Sequence, residues 1–148
     1  MGKEPGRPKK GRLVDMTIHP PTDPQYELPP PEECEDETWP VVLAPRHELR
    51  ARRNVWRDCY IVEFAIMQIV LIDGHWREIA RIDTCHSSVH RHYLRKDHPE
   101  DSVGIRVEIA PIPMSNGWEV VDSWYDRSLK LMEDEWQENL RRWGGDFE

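Results

Sequence analysis

Three histidines, His86, His90 and His92, fall within seven residues, and Arg81 and Asp83 stand two apart just before them. An imidazole changes charge at about pH 6.5, so two held together can divide acid–base work at neutral pH. One would take a proton from a ribose 2′-hydroxyl and the other give one to the leaving oxygen, cleaving RNA without a metal. Asp83 would orient one ring, and Arg81 or Arg91 would face the charge that builds on phosphorus. The same nitrogens suit a metal ion. His86-x3-His90-x-His92 offers three neutral donors, with Asp83 or Cys85 as a fourth, a set that zinc, nickel or iron(II) accepts. A third reading makes them half-exposed strand and loop histidines with ordinary hydrogen bonds.

Strands must position these groups. Residues 60–72 form a β-branched and aromatic run broken only by Glu63 and Gln68, which predicts a central strand. Asp73-Gly74 then predicts a tight hairpin, because glycine supplies the positive φ of the turn. In the returning strand, residues 75–84, the even positions Trp76, Ala80 and Ile82 suit the core, and His75, Arg77, Arg81 and Asp83 line the other face. After a turn at Ser87-Ser88, residues 89–94 form a third strand with His90 and His92 on one face, and residues 105–109 a fourth. Opposite residues on neighbouring strands lie about 5 Å apart, so Arg81, Asp83, His90 and His92 can converge on a solvent-facing pocket.

The clearest helix follows. Asp122 or Ser123 is the expected N-cap, Tyr125, Leu129, Met132, Trp136, Leu140 and Trp143 recur at helical spacing, and Gly144-Gly145 ends it. Its apolar stripe would cover the sheet face away from the histidines. The expected fold is α+β: an antiparallel meander of about four strands packed against a long C-terminal helix.

Ahead of this, residues 1–40 read as a disordered leader, basic and then acidic and Pro-rich, with residues 41–148 as the single folded domain. Pro29-Pro30-Pro31 and the acidic run 32–37 make residues 18–45 an extended linker, and residues 45–57 a short helix with Leu49 and Arg53 on one face. Gly6-Arg7-Pro8-Lys9-Lys10 resembles the core of an AT-hook, which implies a DNA contact through Arg7, Lys9 and Lys10. Arg91 is a further candidate for nucleic-acid contact.

The net charge of −8 argues against adhesion to polyanions through the whole surface, though not against a local basic site. Three widely spaced cysteines fit neither a disulfide framework nor a C-x-x-C zinc site, and point to a reducing compartment. No apolar run approaches the roughly 20 residues of a membrane helix. The expectation is a cytoplasmic protein with no membrane contact.

The pattern R-[IV]-D-x-x-H followed by H-x-H, here Arg81-Ile82-Asp83-Thr84-Cys85-His86 and His90-Arg91-His92, resembles a family of uncharacterised small proteins of actinobacteria and their phages across residues 58–143. More remotely it is similar to TumE-like toxins, which have R-Y-D-N-A-x-H, a nearby histidine pair and a C-terminal helix. Ile82 stands where those toxins carry an aromatic residue, and Thr84-Cys85 where they carry Asn-Ala. The resemblance implies a toxin-like ribonuclease acting on RNA, with Arg81, Asp83, His86, His90 and His92 as its site and a host protein or antitoxin as partner. No cofactor is expected on that reading. Zinc or iron on His86, His90 and His92 is the alternative, and a non-catalytic phage accessory module is another.

Overall fold

The computed structural model describes residues 26–85, 88–97 and 105–144. A 3-10 turn, Pro31–Glu33, leads into six strands and one helix: β1 (Cys34–Ala44), β2 (His47–Trp56), β3 (Tyr60–Ile72), β4 (His75–Cys85), β5 (Ser88–Tyr93), β6 (Ile105–Pro111) and α1 (Trp118–Trp143). Each strand pairs antiparallel with the next, giving one sheet in the order β1-β2-β3-β4-β5-β6. The α+β meander with a C-terminal helix is therefore present, with six strands rather than four.

The two additional strands lie where a linker and a short helix were expected, and both differences have a cross-strand cause. Read locally, the acidic residues of β1 repel one another. In the sheet they stand opposite the basic run of β2, with Glu37 paired to Arg53 and Thr38 to Arg52 in register. Arg53 Nε donates to Glu37 Oε1 at 2.8 Å, Asn54 Nδ2 to Asp36 Oδ1 at 2.9 Å, and Arg52 lies 3.6 Å from Asp36. Pro40 is tolerated because β1 is the edge strand among the described residues. In β2, His47, Leu49 and Ala51 are buried in alternation with polar neighbours, a period of two where the sequence showed only a thin helical stripe.

The β3–β4 hairpin is as expected, with φ of 52° at Asp73 and 78° at Gly74. The alternation in β4 is not. Gln68 pairs with Ala80 but Ile69 with Glu78, so Ile79 is an extra, bulged residue, and both Ile79 and Ala80 are buried. The carbonyl of Ile79 is taken up by Leu94 N–H. Before the bulge the faces exchange. Trp76 is therefore 40% exposed rather than in the core, and Arg77 turns to the helix side, its guanidinium 5.0 Å from the Trp143 ring.

The helix begins at Trp118, earlier than expected, after Gly117. A Cβ on Gly117 would lie 2.6 Å from both Ile112 Cγ2 and Tyr26 Cδ1, so the entry admits no side chain. Asp122 and Ser123 do other work: Asp122 Oδ1 accepts from Ile61 N–H at 2.9 Å, and Ser123 Oγ donates to the Val120 carbonyl at 2.9 Å. Gly144, at φ 109°, ends the helix, its N–H reaching the Leu140 and Arg141 carbonyls. No described helix is long and apolar enough to cross a membrane.

Val121, Tyr125, Met132, Leu140 and Trp143 bury the helix stripe against Leu49, Phe64, Ile66, Ile82 and Val89. One polar seam crosses this contact. Gln68 Nε2 donates to the Trp136 carbonyl at 2.8 Å, Asn139 Nδ2 to Gln68 Oε1 at 3.0 Å, and Arg91 Nη2 to Asn139 Oδ1 at 3.2 Å. Both amides are buried, so their bonds hold α1 at one register on the sheet. Replacing Asn139 by Leu strands the Gln68 amide oxygen and should lower stability by about 2 kcal/mol in urea unfolding, whereas Gln68→Met with Asn139→Leu should recover part of that loss.

Candidate functional site

Residues opposite one another in a sheet share a face, so the register assigns the open side, away from α1. One row runs Thr38, Arg52, Ala65, Asp83, His90, Glu108, and the next Pro40, Arg50, Met67, Arg81, His92, Arg106. Asp83 is thus directly opposite His90, and Arg81 opposite His92. Thr84 fixes the end of β4: its Oγ1 accepts from Phe64 N–H at 3.0 Å, so strand pairing continues by a side chain beyond Ala65 and Asp83.

The carboxylate and the two imidazoles converge. Asp83 Oδ1 lies 2.9 Å from His90 Nε2 and 3.4 Å from His92 Nε2, and the rings meet edge to face with centroids 4.8 Å apart. The first distance is that of a hydrogen bond but its direction is not, for neither ring N–H is aimed at Asp83 Oδ1, which is buried without a hydrogen-bond partner. One ligand atom from each of Asp83, His90 and His92 falls within 4.8 Å of the others.

Two neighbours support the group, and the sequence reading passed over both. Glu78 accepts two bonds from Arg81, at 2.6 Å from Nε and 3.1 Å from Nη2, while Arg81 Nη1 reaches Asp83 Oδ2 at 3.4 Å. Burial works against the Arg81 charge, but Glu78 and Asp83 outweigh it and hold the guanidinium more firmly protonated. Ser88 Oγ lies 3.0 Å from His90 Nδ1, and the other ring nitrogen, Nε2, is the one beside Asp83. The Ser88 signal was readable as an i, i+2 pair on one strand face. Glu78 was not, because only the bulge at Ile79 brings it onto the Arg81 side.

The expected pocket was solvent-facing, and this one is nearly closed: His90 is 2% exposed and His92 7%. Arg91, between them, is on the opposite face, bonded to Asn139 and 3.0 Å from Glu135, so it cannot serve the histidines. Candidate residues His86, Arg7, Lys9 and Lys10 lie outside the described residues, as does most of the leader on which the accessory-module reading rests.

Glu78 and Asp83 flank the Arg81 guanidinium, and burial favours the neutral form of His90. Burial is the main cause that lowers the His90 pKa from 6.5; Asp83 opposes it, and the charges of Arg106 and His92 add to the lowering. One carboxylate oxygen and two imidazole nitrogens, all within 4.8 Å of one another, can ligate a cation or share a proton.

A family model described as a domain of unknown function (DUF7718) matches residues 34–147. No curated protein and no solved structure matches the chain. The matched span starts at Cys34, the first residue of β1.

Because the folded pKa of His90 lies below its unfolded value, the unfolded chain binds more protons between the two. Stability is full above about pH 6.5 and is lost as pH falls through the folded value. His47, lowered chiefly by burial and then by Arg46, acts in the same direction. The urea midpoint, measured with a chelator present, should fall between about pH 7 and about pH 5, and His90→Gln should flatten that slope without abolishing it.

Proposed function

The chain belongs to the DUF7718 family, a domain of unknown function, and we propose that it holds a divalent transition-metal ion, zinc or iron(II), on Asp83, His90 and His92. One observation carries this reading: Asp83 Oδ1 is buried without a hydrogen-bond partner among the described residues, although two imidazole Nε2 atoms stand 2.9 and 3.4 Å away. A buried carboxylate oxygen is normally satisfied, since leaving it unpaired costs about 1–3 kcal/mol or more. A cation among the three atoms would satisfy that oxygen. Ser88 at His90 Nδ1 suits this role, because a metal-bound histidine keeps its other ring nitrogen hydrogen-bonded. Two histidines and one carboxylate leave coordination positions open, as in catalytic rather than structural sites.

A metal-free, toxin-like ribonuclease using His90 and His92 draws on the same cluster but is supported less well. In-line cleavage needs base and acid on opposite sides of the phosphate. Here both Nε2 atoms lie within 3.4 Å of one carboxylate oxygen, on the same side of any phosphate, and Arg81 is engaged by Glu78.

The full chain, purified without added metal, should carry about one equivalent of zinc or iron by elemental analysis. Asp83→Ala, His90→Ala and His92→Ala should each weaken zinc binding by at least about tenfold with the circular dichroism of the fold retained. A chain empty of metal whose melting temperature zinc and iron(II) leave unchanged removes the metal reading. RNA cleavage that persists in chelator and is lost in His90→Ala would establish the ribonuclease in its place.

A further inference from the structure

The open face also holds a groove of about 740 Å³ over β1, β2 and β3, lined among others by Thr38, Pro40, Arg50, Arg52, Ala65 and Met67. Its floor adjoins the candidate metal centre, for Ala65 is paired with Asp83 and Met67 with Arg81. Ala65 is the one residue of β3 smaller than valine. In the row Arg52, Ala65, Asp83, only a methyl group therefore stands between the groove and the carboxylate. A larger side chain there would wall the two apart.

The arginines shape the opening. Arg50 bends toward Glu48, 3.2 Å away and itself part of the groove lining, and toward the Trp76 ring, 5.4 Å away. Arg52 bends the other way, to Asp36 at 3.6 Å and Glu63 at 3.8 Å. The two guanidiniums diverge over an apolar floor of Ala65 and Met67. They are 46% and 44% exposed, and the long Arg52 contacts leave its donors able to meet a further anion.

We propose that this groove is the ligand cleft of the Asp83, His90, His92 centre, and that it takes a small organic oxyanion, a carboxylate or a phosphate monoester with a short apolar body. The acid group meets Arg52 on the groove side, the body lies against Met67, and the far end passes over Ala65 to face Asp83. This rests on the metal reading for what meets the far end; the groove and its arginines do not depend on it.

Calorimetry on the full chain with its metal tests the assignment, using hexanoate, hexyl phosphate and hexanol as probes. One of the two acids should bind, hexanol should bind at least about tenfold more weakly, and whichever acid binds tighter names the head group. Ala65→Leu, which fills the passage, and the pair Arg50→Gln with Arg52→Gln should each weaken the acid by about tenfold or more while the metal content stays unchanged. Equal affinity for hexanol, no binding of either acid, or full binding by either variant overturns the cleft. If the chain holds no metal, acid binding that is still lost in Ala65→Leu upholds the groove and separates its fate from that of the metal centre.

Discussion

A carboxylate that leaves water needs a partner for each of its oxygens, and that requirement at Asp83 governs the open face of the sheet. Charge burial is costly unless it is compensated by pairing and hydrogen bonds. Arg81 supplies one side, and it can do so only because Glu78 holds its guanidinium with two bonds. On the other side stand His90 and His92, the first of them steadied by Ser88. Remove the bulge at Ile79 and Glu78 would face the helix, Arg81 would lose its anchor, and Asp83 would lose the cation that stabilises it. A single extra residue in β4 is thus a condition for the cluster.

The two faces of the sheet divide their labour by chemistry. On the helix side, burial of Phe64, Ile66, Ile82 and Val89 under α1 supplies the bulk of the driving force, which is proportional to apolar area and has no direction. Direction comes from the seam of Gln68, Asn139 and Arg91, whose hydrogen bonds fit one placement of the helix. On the open side the arrangement is mostly ionic and set by strand register. Arg91 illustrates the division: it lies between two site histidines in sequence, yet period-two alternation commits it to the seam.

The edge of the sheet follows the same logic. β1 carries acids and a proline, both of which discourage further strands from adding to an exposed edge. What makes it a strand is its ladder with β2, in register from Cys34 with Trp56 to Val41 with Leu49, and the packing of Trp39, Val41 and Leu43 on the core; the basic run on β2 offsets its acids. Within one segment, like charges argue for solvated coil. Across a ladder, opposite charges argue for pairing, and the second argument prevails because it acts between segments that a local reading treats separately.

The sequence by itself determined the elements whose signal is local. The run of residues 60–72, the Asp73-Gly74 turn, the glycine end of the helix and its apolar stripe each act through propensity or backbone geometry within a few residues, and each lies where the pattern put it. The sharing of one face by Asp83, His90 and His92 was legible too, since it needs only alternation and one hairpin. Tertiary structure alone decided the rest: that residues 34–56 are two strands, that Trp76 faces outward, that Glu78 joins the cluster, and that its imidazoles are buried. Those outcomes depend on which residue stands opposite which across the ladder and on where one bulge exchanges the faces, and neither is encoded in the spacing of side chains along a single strand.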